Sequence, residues 1–151
     1  MRLKQRGTRP GDKKKLSGVQ RKILATYDNL QFWVNDALIQ GVRLKAKEVH
    51  YERGRDGLTI RFRKGAEVLG TCGPYQRYKD RAIPRLREMA KIDLAGKAKT
   101  RTRTGKFQTI VDDRFWSCRV TWTRTRPGEK LAIRYTSSKP WKGFEEWSRR
   151  R

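Results

Sequence analysis

Arg61 and Arg63 stand two apart in the run Leu58–Lys64, and Arg119 and Arg134 each sit between apolar residues in the runs Arg114–Thr125 and Lys130–Thr136. In an extended chain successive side chains point to opposite faces, so this alternation sends each guanidinium away from the apolar row. A planar guanidinium offers a fork of donors that fits two phosphate oxygens at once. Further cations lie in stretches without a periodic pattern: Lys13, Lys14 and Lys15 near the start, Lys97, Lys99, Arg101, Arg103 and Lys106 in the middle, and Arg149, Arg150 and Arg151 at the end. Basic segments of this kind order on RNA or along a groove. Together these residues form the candidate phosphate- and nucleic-acid-binding set. Solvated strand arginines without a ligand are the competing reading, and strand order decides whether the arginines share a face.

Other chemistry is sparse. His50 is the only histidine, and no nucleophile pattern accompanies it. Glu48 and Glu52 flank it on one side of a strand, where a carboxylate pair is conceivable. Acids among so many cations more often make ion pairs. Asp112-Asp113 reads as a turn. Cys72 and Cys118 are far apart, and two cysteines with one histidine cannot complete a four-ligand zinc site. No Gly-x-Ser-x-Gly elbow is present. The expectation is a protein that is not an enzyme and uses no cofactor or metal.

Charge supports that direction. The chain has 151 residues, with 39 Lys and Arg against 15 Asp and Glu, for a formal net charge of +24. Self-repulsion at this level opposes compaction, and a polyanion relieves it while releasing condensed counterions. Hydrophobic residues still make up 35% of the chain, with five each of Trp, Tyr and Phe, so a folded core is expected. No apolar run is long enough to span a membrane, and the first twenty residues lack the apolar stretch of a secretory signal. A reducing, cytoplasmic setting is expected.

The elements that must hold these residues are partly legible. Residues 1–22 carry nine basic residues and one acid, with interspersed glycines, and read as a basic flexible arm. Thr26 or Asp28 can cap a helix running to about Gln40, with Leu30, Val34, Ala37 and Leu38 at helical spacing and Gly41 as its stop. Glu48–Arg53 and Leu58–Lys64 alternate like strands around a Gly54-Arg-Asp-Gly57 turn. Glu67–Cys72 is a third short strand closed by Gly73-Pro74. Asp80–Ile92 looks helical with Ile83, Leu86, Met89 and Ala90 inward, and Pro84 either starts that helix or breaks an earlier turn. Residues 95–106 read as a mobile basic loop. Strands follow at Lys106–Val111, Arg114–Thr125 and Lys130–Thr136, and Trp141, Phe144 and Trp147 at spacing three suggest a helical turn. The organisation expected is an arm over 1–22, an α+β domain over 23–137 and an aromatic, basic extension over 138–151.

Several motifs occur in a familiar order. Ala46-Lys-Glu-Val-His50-Tyr-Glu52-Arg53, Ile60-Arg61-Phe62-Arg63-Lys64-Gly65, Met89-Ala-Lys-Ile-Asp-Leu-Ala-Gly96, Gly105-Lys106-Phe107, Arg119-Val120-Thr121-Trp122 and Gly128-Glu129-Lys130 follow one another over about residues 30–136. This series resembles the N2 domain that precedes the motor in type II secretion and type IV pilus assembly ATPases. The resemblance implies a PAS-like α+β layer with helices on one face of an antiparallel sheet. It implies a structural, hydrogen-bonding role for His50, and places Arg61, Arg63 and Arg119 where the family keeps arginines close to the motor's nucleotide. The chain departs from the family at Thr102-Arg103-Thr104 and at Lys64-Gly65-Ala66. It contains no Gly-x-x-x-x-Gly-Lys-Ser/Thr loop, so it has no cradle for ATP phosphates.

Two functions are therefore expected. The first is a non-enzymatic basic module that binds nucleic acid, RNA or DNA, by its backbone, or that assembles in a ribonucleoprotein. The second is a stand-alone N2-type accessory or regulatory protein of a secretion, pilus or competence ATPase, with that motor as its partner.

Overall fold

The computed structural model describes residues 28–94, 102–126 and 128–141. The fold is α+β: a six-stranded antiparallel sheet with two helices on one face. The elements in chain order are α1 (Asn29–Arg43), β1 (Glu48–Gly54), β2 (Gly57–Lys64), β3 (Glu67–Tyr75), α2 (Ala82–Met89), β4 (Thr102–Val111), β5 (Arg114–Arg124) and β6 (Glu129–Pro140). Two three-stranded meanders meet through β1 and β6, giving the order β3-β2-β1-β6-β5-β4.

Period-two patterning sets which side of the sheet is covered. Val49 and Tyr51, Ile60 and Phe62, Val120 and Trp122, and Leu131 and Ile133 point to the helices and are buried against Val34, Ala37 and Leu38 of α1 and Ile83 and Leu86 of α2. Each fully buried side chain of this size contributes about 2 kcal/mol. Two phenols pin α1 to the sheet through its carbonyls: Tyr51 donates to Val34 O at 3.2 Å and Tyr135 to Leu38 O at 2.6 Å. Asp28 caps α1 by accepting from Gln31 N at 2.8 Å, and its two oxygens also take both terminal nitrogens of Arg85 on α2, at 3.0 and 2.9 Å. The Arg85 hydrogen bond, with the backbone amide, holds the Asp28 carboxyl down at about 2.

The structure corrects several expected boundaries. Gly41 does not stop α1; it lies inside the helix where backbone and sheet approach closely. A Cβ there would stand 2.5 Å from Tyr135 Oη and 2.7 Å from Val49 Cγ2. The helix instead ends in a Schellman motif, with Ala46 N donating to Gly41 O and Lys45 N to Val42 O, and Lys45 in the left-handed conformation at φ 60°. The second helix is shorter than Asp80–Ile92 and ends the same way, with Lys91 at φ 56° and Ile92 N bonded to Arg87 O. Pro84 is its third residue, in the first turn, where no intrahelical partner awaits its missing N–H.

β3 runs past Cys72 to Tyr75. It is an edge strand paired only with β2, so Pro74 breaks no ladder on its outer side. Thr102–Lys106 is the first half of β4 and not loop, paired residue by residue with Thr123–Arg119. β6 extends to Pro140, where Ser138, Lys139 and Pro140 lie opposite Trp116, Phe115 and Arg114. Long partners explain both extensions, since β5 pairs along its whole length with β4 and, across one bulge, with β6. Trp141 follows directly, its N–H bonded to Asp113 O at 2.8 Å. The arm over 1–22, the loop residues up to 101, Phe144 and Trp147 lie outside the described residues.

Candidate nucleic-acid interface

Both helices pack on one side of the sheet, and among the described residues nothing covers the other. Alternation and register then place the polar side chains. β1 contributes Glu48, His50 and Glu52; β2 contributes Thr59, Arg61 and Arg63; β4 contributes Thr104, Lys106 and Gln108. β5 contributes Ser117, Arg119, Thr121 and Thr123, and β6 contributes Lys130, Ala132 and Arg134. The predicted strand arginines Arg61, Arg63, Arg119 and Arg134 therefore share one face, which strand order alone decides.

One transverse row carries most of the charge. Lys106 is opposite Arg119, Arg119 opposite Arg134, Arg134 opposite Glu48, and Glu48 opposite Arg63. Opposed residues in antiparallel strands have Cα atoms roughly 5 Å apart. Like charges directly opposite cost about 0.5 kcal/mol per pair. Arg119 thus has a cation on either side and no acid next to it. Lys106, Arg119 and Arg134 are exposed, and neither they nor Arg63 makes an ion pair among the described residues.

The helix side is balanced differently. Arg43 pairs with Asp112 at 2.9 Å, Arg85 with Asp28 at 2.9 Å, and Arg53 with Asp80 at 2.6 Å. Glu129 takes Arg53 and Arg87 at 3.9 and 3.8 Å and accepts from Trp122 Nε1 at 2.8 Å. Four arginines there are paired with acids, whereas the open face keeps its acids to β1. Glu52 binds Arg61 at 3.0 Å, and Glu48 meets His50 Nε2 at 3.2 Å. Burial holds the His50 imidazole below its ordinary value; the hydrogen bond to Glu48 opposes this, and Lys130 and Arg63 reinforce it. His50 is thus a neutral group hydrogen-bonded into the strand.

A depression of about 490 Å³ opens where β4, β5 and β6 meet on this face. It is lined by Lys106, Phe107, Gln108, Ser117, Cys118, Arg119 and Thr136. A register shift beside Ser117 and Cys118 leaves Thr136 as an extra residue on β6, and its hydroxyl bonds Ser117 O at 3.1 Å. The Thr136 proton is spent on that carbonyl, while the Ser117 hydroxyl and the Gln108 amide stand beside two cations, a donor set suited to phosphate oxygens. The thiols take no part in such chemistry, since burial pushes Cys118 up to about 12 and raises Cys72 as well. Among the described residues no cluster of three or more His, Cys, Asp or Glu could hold a metal ion. No helix there is long and apolar enough to cross a membrane.

Not every predicted cation belongs to this face. Arg103 alternates to the helix side of β4, opposite Trp122. Lys13, Lys14, Lys15, Lys97, Lys99, Arg101, Arg149, Arg150 and Arg151 lie outside the described residues. Sequence reasoning passed over Lys130, which shares the face with Arg134; four residues apart on one strand was the available signal. It also passed over Ser117 and Thr136, because a bulge leaves no mark in the pattern.

Fold and face together define a small α+β module whose uncovered sheet surface is cationic. No protein-family model matches the chain, and no curated protein matches it.

Proposed function

We propose that this protein is a non-enzymatic nucleic-acid-binding module that lays a sugar-phosphate backbone across its open sheet face. The observation that carries this reading is the Lys106–Arg119–Arg134 row. Three cations on adjacent strands lie in register and none makes an ion pair among the described residues; Glu48 stands opposite Arg134 at one end, but Lys106 and Arg119 have only cations opposite them, an arrangement that repels itself until an anion arrives. A phosphate chain supplies negative charges at regular spacing and gains entropy from released counterions. The sequence carries no zinc-finger or RRM signature for reading bases, so recognition is of backbone and shape.

The test is binding of the full chain to RNA and DNA oligonucleotides across a salt series. Log affinity should fall linearly with log salt. Failure to bind either nucleic acid at about 50 mM salt, where electrostatic binding is strong, refutes the proposal.

A second reading is an N2-type, PAS-like accessory module that docks on a separate secretion or pilus motor. Its support is the placement of helices on one face of an antiparallel sheet, with the Glu48–Glu52 and Ile60–Lys64 motifs on neighbouring strands. Retention of a motor ATPase in high salt, where backbone binding is lost, would favour this reading over the first.

A further inference from the structure

The open face has an apolar end that the cationic row does not explain. Ile110 on β4 lies directly opposite Phe115 on β5, and Phe115 is opposite Lys139 on β6. The Trp141 ring meets Phe115 edge-on, with centroids 6.0 Å apart. Ile110 is 41% exposed, unusual for an isoleucine in a strand. The neighbouring Phe107 and Trp116 pack against the helix-side core, but Ile110, Phe115 and Trp141 do not. They form a separate aromatic patch on the other side of the sheet.

The patch is in line with the anion-binding groups. Phe115, Ser117 and Arg119 project from the same side of β5, each about 7 Å from the next. An aromatic ring, a hydroxyl beside the depression and a guanidinium thus follow one another along one strand. A duplex keeps its bases stacked inside and offers a protein mainly phosphates, so it has no use for the ring. A single strand presents base faces and phosphates together, and aromatic residues beside a basic groove are how sequence-tolerant single-strand binders hold it.

Building on the nucleic-acid reading, we infer that the face takes its ligand as a single strand. Bases stack on Phe115 and Trp141, and the adjoining backbone crosses the depression between Lys106 and Arg119. Lys139 flanks the stacked end and neutralises a further phosphate.

The test uses the full chain and three labelled RNAs of roughly ten nucleotides, a length within the span one such face covers: oligouridine, an abasic strand of equal length, and a duplex. Oligouridine should bind about tenfold or more tighter than the abasic strand, which keeps the phosphates and loses the stacking. Phe115→Leu, which keeps apolar bulk, should weaken oligouridine binding by about tenfold and leave abasic-strand and duplex binding unchanged. Equal affinity of the unaltered chain for oligouridine and the abasic strand overturns the proposal, and that comparison does not depend on any variant folding. Binding all three RNAs equally overturns only the single-strand inference; binding none overturns the nucleic-acid reading with it.

Discussion

Neutralising Lys106, Arg119 and Arg134 together, each to Gln, should flatten the salt dependence of RNA binding by a calculable amount. These side chains occupy one row on adjacent strands and have no ion-pair partner among the described residues. None is tied up in an ion pair, so each is available to a phosphate. For a single strand, log affinity falls with log salt by about 0.7 per phosphate neutralised, so removing three contacts lowers the slope by about 2. Between roughly 50 and 200 mM salt, the parent should lose about 15- to 20-fold more affinity than the variant. Fluorescence anisotropy with a labelled oligonucleotide across that range measures both slopes. The row is exposed and crowded with like charge, so thermal stability should hold steady or rise slightly. A control variant, Arg43→Gln, removes a cation already paired with Asp112 on the opposite side and should leave the slope unchanged. Parallel slopes for the triple variant and the parent would refute the assignment of the face.

Other expectations concern the scaffold. Gly41→Ala places a methyl group against Tyr135 and Val49, and should destabilise the fold by about 1–3 kcal/mol in urea unfolding. Tyr135→Phe leaves the Leu38 carbonyl without its 2.6 Å donor and should cost about 1 kcal/mol by the same assay, with binding intact. His50 is held neutral, with its folded-state value below the unfolded one. The unfolded chain therefore takes up the proton first as pH falls, and stability should decline below about pH 6.5 until the folded-state value is passed. His50→Asn should remove that part of the pH dependence in denaturation curves from neutral to mildly acidic solution.

The structure bears out the alternation of the strands, because a period of two is a local property. Leu58, Ile60 and Phe62 against Thr59, Arg61 and Arg63 could be assigned to opposite faces from the chain alone, as could Val120 and Trp122 against Arg119 and Thr121. The Asp-Gly turn between β1 and β2 and the Asp112-Asp113 turn were readable for the same reason. Helix ends were not. Both close on a lysine in the left-handed conformation, a role the pattern assigns to glycine, while Gly41 serves close packing instead. Thr102–Lys106 looked like loop because two of its five residues are basic, one is glycine and none is apolar enough to mark a core-facing row. An edge strand with one uncovered face has that same composition.

What the sequence by itself determined is which residues face away from the core: each guanidinium opposes an apolar neighbour on its own strand, and sterics leave the chain no alternative. Only the tertiary structure decided that guanidinia from three strands lie on one surface. Pairing β1 with β6 brings residues 48–53 beside residues 129–134, a contact no local pattern encodes. The helices then choose which side to cover by where their apolar stripes find matching volume. The β4-β5-β6 meander builds the Lys106–Arg119–Arg134 row, the depression and the aromatic patch; the β1–β6 pairing adds Arg61 and Arg63 to the same surface, on the side the helices leave open.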